Sequence, residues 1–433
     1  MKLVKAICIL GPAALAALAA QLAAGQPART DINPALLYYQ AFLLAPEPLP
    51  RADDDYLGTT GRGLKLPEGF GNLAAGYDNQ FALVRQAARA TVPCDWGIDF
   101  TAGPATLLPH LARTKAVAVA TGLRVMWALQ EGRQADARDD LLGAFVLARN
   151  VARDGTLIPT LVQQAAELIV SYDFAENFGR FSPETLAQVA QGFAAAPALH
   201  TVAECVPAER AMIEGWLLRR VRELQAANPG DDAKTMAGIG ELFARAGDIR
   251  QDLPRMANYG DAGQTEWWQK VNAAAGGTSE GVVRLVQDLG ALSQRAAEVT
   301  ALPPGKSKSR LQKFQAEIEH SPNPLIAFLS PSWERARLRE IKVLVVEAML
   351  RAAIEYKLHG EPGLRTVADP CGQGPFTFQR FSFEGTDRGF QLKSAYDGSG
   401  FQESLIFVEK EGPAFLVDGP HVGTGRRALE GKK

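Results

Sequence analysis

From about residue 74 to His359, apolar residues recur every three or four positions in segment after segment, each closed by a glycine or opened by a polar residue and a proline. That spacing gathers the apolar side chains on one face of an α-helix, and such a face must be buried against a neighbour. The run "LPHLARTKAVAVATGLRVMWALQEG" predicts a helix stopped by Gly132. "ADARDDLLGAFVLARNVARDG" predicts one stopped by Gly155, and "TLIPTLVQQAAELIVSYDFAENFG" one stopped by Gly179. Ser182-Pro183-Glu184 reads as a helix start, with a capping hydroxyl, a first-turn proline and a first-turn acid. Further helices are expected from Val202 to Ala227, within Asp231 to Lys270, and from Ser279 to Thr300. After the polar linker "PPGKSKSR" a short helix should begin at Leu311, and Ser330-Pro331 should cap the last long helix, to His359. Ahead of these, Asn33-Pro34 opens a helix to Ala45, and a proline- and glycine-rich loop runs from Pro46 to about Leu73.

The glycine-turned pair from Gly122 to Arg153 has the look of a helical repeat. The pattern does not recur at a fixed period, which favours an irregular array over a solenoid. At Gly360 the texture changes. "FTFQRFSF", "GFQLKSAY", "ESLIFVEK" and "AFLVDG" carry strand-like patterns separated by turn residues. The fold class expected is therefore mainly α: an irregular multi-helix array with a small C-terminal antiparallel β unit. The divisions expected are a signal peptide over 1–25, a helical domain over 26–359, the β unit over 360–419 and a loose tail over 420–433.

The signal peptide rests on Lys2 and Lys5, an uncharged and mostly apolar stretch from Ala6 to Ala24, and the small residues Ala23-Ala24-Gly25. Cleavage before Gln26 would leave a protein outside the cytoplasm, with no later segment able to span a bilayer. The alternative is an uncleaved N-terminal anchor, which Pro12 and Gln21 weaken. Against 48 acidic residues, 46 basic ones less Lys2 and Lys5 give the mature chain a net charge of −4, with no basic domain to suit nucleic acid. The mature chain keeps three cysteines, Cys94, Cys205 and Cys371. One bridge or none is expected in an oxidising compartment, with Cys94–Cys371 favoured slightly over Cys94–Cys205.

Chemistry concentrates in "CDWGIDFTAGPATLLPHL", Cys94 to Leu111, which holds Asp95, Trp96, Asp99 and His110. Carboxylates and an imidazole are a common metal or acid–base set, but His110 lies eleven residues from Asp99, across Gly103-Pro104 and Pro109, which does not suit one helical face. The plainer reading makes Asp99 or Thr101 the cap of a helix starting near Pro104, with Trp96 plugging the core beside Cys94. The chain has no GxSxG elbow, SxxK pair, Walker loop or strand-borne GxGxxG, so serine acylases and nucleotide cofactors are unsupported and neither cofactor nor metal is expected. Glu204, Glu209 and Glu214 share a helix, Glu214 four residues after Arg210 as an ion pair. Trp267-Trp268 could form an interaction platform, and Arg335, Arg337, Arg339 and Lys342 a cationic helix face toward solvent.

Two resemblances follow. "DPCGQGPFTFQ…GFQLKSAYDGSG", Asp369 to Gly400, is similar to the carboxyl end of the major pseudopilins of type II secretion, with Cys371 at the family's tryptophan position and the acidic loop reduced to Asp397. The mature chain also resembles a group of exported bacterial proteins of unknown function. It matches their pattern at Asn33-Pro34, Tyr38-Tyr39, Cys94, Trp96-Gly97, Asp99 and Leu108-Pro109-His110-Leu111. That resemblance implies export and a helical architecture, and no activity. The expected function is a non-enzymatic binding or scaffold protein whose partner is an envelope protein or polymer. The alternatives are an envelope hydrolase acting through Asp95, Asp99 and His110, and an accessory of a secretion apparatus.

Overall fold

Cap and stop residues set the helix boundaries in a computed structural model that describes residues 29–47, 57, 65–248, 261–398 and 402–412, with the backbone alone at 244–248 and 261–265. The stretch expected to be a signal peptide (1–25), most of the expected Pro46–Leu73 loop, the "AFLVDG" run and the expected 420–433 tail lie outside the described residues; where that loop is described, a helix already begins at Gly69. The first half comprises α1 (Pro34–Leu43), α2 (Gly69–Gly76), α3 (Asp78–Ala88), α4 (His110–Gln130), α5 (Gln134–Asn150), α6 (Leu157–Glu176) and α7 (Pro183–Ala195). The second comprises α8 (Val202–Arg210), α9 (Trp216–Ala227), α10 (Asp232–Asp248), α11 (Asp261–Ala274), α12 (Ser279–Thr300), α13 (Pro304–Glu319), α14 (Pro324–Leu329) and α15 (Trp333–Leu364). Strands β1 (Thr377–Phe383), β2 (Thr386–Lys393) and β3 (Ser404–Val408) form one antiparallel sheet in chain order. The protein is mainly α with a small C-terminal antiparallel sheet.

The local chemistry is as expected at several ends. The Asn33 side chain caps α1 and Pro34 is its first residue. Ser182 Oγ accepts from Thr185 N at 3.2 Å to start α7. Gly132 and Gly155 adopt left-handed φ values of 72° and 79°, which only glycine takes without strain.

Elsewhere the structure corrects the sequence reading. "PPGKSKSR" is not a linker, because Pro304 opens α13 and Ser307, Leu311, Phe314 and Ile318 form its buried stripe. A polar sequence hid that stripe's first turn. The segment from Val202 to Ala227 is broken by a π-turn over Ala211–Gly215, just after Pro207 has removed one backbone donor. Residues Phe100–Ala105 make a 3₁₀ turn rather than the start of α4, because Gly103 sits at φ 63°. Gly179 is likewise no stop: it lies in a 3₁₀ turn over Phe178–Arg180, where a Cβ would fall 2.3 Å from the Glu409 carbonyl oxygen. Helix α15 starts at Trp333, and Ser330 closes α14 instead.

Three main apolar clusters hold the array together. The largest joins α4, α5, α6, α7 and α15 to the inner face of the sheet. The second binds α8 through α14, and a third packs α1, α3 and Trp96 against Val117 and Ala120 of α4. The sheet shares the helical core. Phe390 of β2 stacks on Phe407 of β3 with ring centroids 5.1 Å apart, and Phe178 meets both edge-on.

The Asp369-Pro370 turn clamps the sheet to the end of α15. The buried Asp369 carboxylate accepts from Ser394 Oγ at 2.7 Å, Cys371 N at 3.0 Å and Ala395 N at 2.6 Å. Asp369→Ala would orphan all three donors at a cost of about 2–4 kcal/mol. Hydrogen exchange should therefore speed up across β2 while α3 to α5 keep their protection, and Asp369→Asn, which retains an acceptor, should lie between.

Candidate functional site

The Cys94–Leu111 stretch is built around one indole. Asn33 does two jobs at once. Its Oδ1 caps α1 by accepting from Ala35 N at 3.1 Å, and it also accepts from Asp95 N at 3.1 Å, while its Nδ2 donates to Asp95 O at 2.7 Å. That clasp delivers Trp96, 5% exposed, into the cluster with α1. Tyr38 lies stacked near it at 5.7 Å, Tyr39 edge-on at 5.4 Å and Phe42 parallel at 6.3 Å. The indole Nε1 donates to Asn150 O at 2.8 Å, fixing the far end of α5. A fourth ring closes the set: His110, the first residue of α4, stacks on Trp96 at 4.4 Å.

Of the three reactive candidates, the structure brings none together with another. Asp95 is exposed and its Oδ1 accepts from Gly97 N at 2.9 Å, bracing a turn in which Gly97 takes φ 66°. Asp99 is exposed and caps the 3₁₀ turn through Thr101 N at 2.8 Å and Thr101 Oγ1 at 2.9 Å, and those bonds hold its carboxyl below the usual range. Gly103 lets this loop settle on the start of α9. A Cβ there would stand 2.4 Å from Trp216 Cγ, so any other residue would push α9 away.

His110 instead meets Asp154, which sequence reasoning missed. Its Nε2 lies 3.8 Å from Asp154 Oδ2, with the side chains 0% and 5% exposed. Neither imidazole nitrogen makes a hydrogen bond of regular geometry. Burial pushes the imidazole down to about 4, partly opposed by the Val151 carbonyl, and the same desolvation lifts Asp154 to about 6 against its bonds from Thr156. On the facing helix α8, Glu209 is buried, accepts from Leu157 N at 3.0 Å, and is raised chiefly by desolvation. The one available signal was Asp154-Gly155-Thr156 itself, an acid in the turn before a helix, which reads as a cap. The pair is sealed under Trp96, and both groups are neutral over the interval between their titrations.

The remaining candidates hold structural posts. The Cys94–Cys371 bridge is absent, and Cys94, Cys205 and Cys371 are all free. Each packs into a different core: Cys94 beside Trp96, Cys205 among α8–α14 with Sγ donating to Val202 O, and Cys371 against the core of the sheet. Burial pushes the Cys94 thiol up to about 12, with Arg153 opposing. Trp267 is a core residue stacked on Phe328 at 4.0 Å, and Trp268 is half-buried against Phe243, so the two indoles form no shared platform. The cationic face of α15 is partly internal. Arg337 is buried in an ion pair with Glu340 and Lys342 reaches Glu403, while Arg335 and Arg339 are exposed. Glu204 completes a capping box with Thr201, and Glu214 is paired with Arg210 at 2.6 Å but buried rather than superficial.

A second feature opens beside this hub. A cleft of about 450 Å³ lies between α3, α5 and α7, with Cys94 and Asn150 in its lining. Comparison with models of protein families, with characterised proteins and with solved structures finds no match to this chain.

The His110–Asp154 pair sets a pH signature. The imidazole binds protons less readily once folded, so its contribution to stability is complete above 6.5 and lost as pH falls toward 4. Asp154 binds protons more readily once folded, so its contribution is complete below 3.8 and lost as pH rises through 6. Between pH 4 and 6 the two slopes oppose. Asp154→Asn should therefore lose stability relative to the wild type as pH falls from 6.5 to 4, and His110→Gln should gain over the same window. Urea unfolding at fixed pH measures both, and variants that parallel the wild type would refute the neutral pair.

Proposed function

We propose that this chain is an exported, non-enzymatic helical protein that binds a partner or ligand in the bacterial envelope. The observation that carries this reading is the division of labour in the Cys94–Leu111 stretch. Asp95 and Asp99 brace turns at the surface, whereas His110 is sealed against Trp96 and Asp154. A hydrolase acting through those three residues would need them to converge on one substrate, and this separation counts against that alternative. A cleft walled by three packed helices gives the binding reading a place to act.

The export part of the proposal rests on Lys2, Lys5, the Ala6–Ala24 stretch and the small residues before Gln26. No helix among the described residues is long and apolar enough to cross a membrane. The accessory-protein alternative rests on the Asp369-Pro370 turn and the sheet it clamps, and the sharing of one core by sheet and helices gives it no separate module to act through.

Recovery of a C-terminally tagged chain from the envelope of its native host, after mild cross-linking, tests the proposal. The expected product begins at Gln26 and carries one envelope component in stoichiometric amount, and Asp95→Asn and Asp99→Asn variants retain it. A chain retained in the membrane with Met1 intact would contradict export. Turnover of envelope polymer that those two variants abolish would restore the hydrolase reading.

A further inference from the structure

The cleft between α3, α5 and α7 has the size of a small-molecule site, at about 450 Å³. Two close helix contacts bound it. Gly192 of α7 approaches Leu142 of α5 so nearly that a Cβ would lie 2.3 Å from Leu142 Cδ1, and Gly143 approaches α3, where a Cβ would lie 3.3 Å from Val84 Cγ1. Small residues, Ala87, Ala88 and Ala196 among them, keep the space between these contacts open.

The charge in the lining is unbalanced. It contains Arg85, Arg89 and Arg153 against the single acid Asp139. Arg85 is held by Asp140 at 3.1 Å, and Arg89 by Asp139 at 3.2 Å. Arg153 stands apart. Its backbone N–H donates to Asn150 O at 3.2 Å, which fixes the turn after α5, but its guanidinium makes no hydrogen bond and no ion pair within 4 Å among the described residues. Its charge acts on Glu204, an acid that is exposed as Arg153 itself is, and buried Cys94 keeps its proton, so no buried counter-charge faces the guanidinium.

We infer that this cleft binds a small organic anion, a carboxylate or phosphate monoester on a compact apolar body, with the Arg153 guanidinium as its ionic anchor. A guanidinium presents paired N–H donors that match either oxyanion, and the apolar walls receive the body. This deepens the binding function proposed above and rests on it. The site reports to the aromatic hub, because Asn150 lines the cleft and its carbonyl accepts from Trp96 Nε1 at 2.8 Å. Occupation of the cleft should therefore alter Trp96 fluorescence.

Titration of the mature chain with benzoate, phenyl phosphate, benzyl alcohol and benzylamine, read by calorimetry and by tryptophan emission, tests the inference. The two anions should bind one to one with a change in emission, and the neutral and cationic probes should bind at least tenfold more weakly. Arg153→Gln, a surface change, should weaken both anions at least tenfold while leaving circular dichroism unchanged. Val146→Trp should block the cleft and abolish binding of every probe. Equal binding of all four probes, or unchanged anion affinity in Arg153→Gln, would overturn the ionic anchor. Failure of both anions to bind a chain that still captures its envelope component would overturn the ligand class alone. Failure of both anions together with loss of that capture would overturn the binding function with it.

Discussion

The packing of α1 against α4 and the end of α5 is referred to the indole of Trp96. It is gripped by three rings of α1, faced by the imidazole that begins α4, and hydrogen-bonded to the carbonyl at the end of α5. Three helices thus meet on one side chain. Aromatic pairs of this kind are worth about 0.5–1.5 kcal/mol each beyond simple burial. The backbone clasp from Asn33 to Asp95 adds direction to that attraction, because it fixes which way the loop enters. The Cys94–Leu111 stretch looks reactive in sequence because anchoring a loop between helices calls for polar residues at its turns. Its acids tie down the backbone, and its imidazole fills a ring-shaped space.

Around this hub the helices are registered by buried charge. Arg124 joins Asp140 at 2.7 Å between α4 and α5, and its other arm reaches Asp78 of α3 and the Ala74 carbonyl. Arg149 bridges Glu167 of α6 and Glu347 of α15 at 2.9 and 3.0 Å. Burial, with Glu347 nearby, raises the Glu167 carboxyl, and Arg149 opposes the shift. Removing one partner from such a pair leaves the other stranded, at a cost of about 3–5 kcal/mol. Long alanine-rich helices can slide against one another at little cost, and these pairs oppose sliding because each is satisfied at one register only.

Much of the scaffold was legible because caps and stops act locally. Asn33-Pro34, Ser182-Pro183, Gly132 and Gly155 each do what their chemistry dictates whatever lies around them. The reading failed where a tertiary contact decided the outcome. The start of α13 was hidden by a lysine- and serine-rich first turn whose only buried member is Ser307. A helix was expected to start near Pro104, and the left-handed backbone at Gly103 instead serves the contact with Trp216. Asp154 was missed because its partner, His110, lies far away in sequence and arrives only when α4 folds against the end of α5. The free cysteines have the same explanation. Each was drawn into a separate apolar cluster, so burial rather than pairing determined its state.

Native-state hydrogen exchange at the Trp96 indole N–H tests this account most directly, with the resonance assigned by its disappearance in Trp96→Phe. If Trp96 is the post on which α1, α4 and α5 converge, that proton should exchange as slowly as the best-protected amides of α5. Exchange at the rate of a solvent-exposed indole, with α5 still fully protected, would show that the stretch is a mobile surface loop and that the aromatic hub does not hold the fold together.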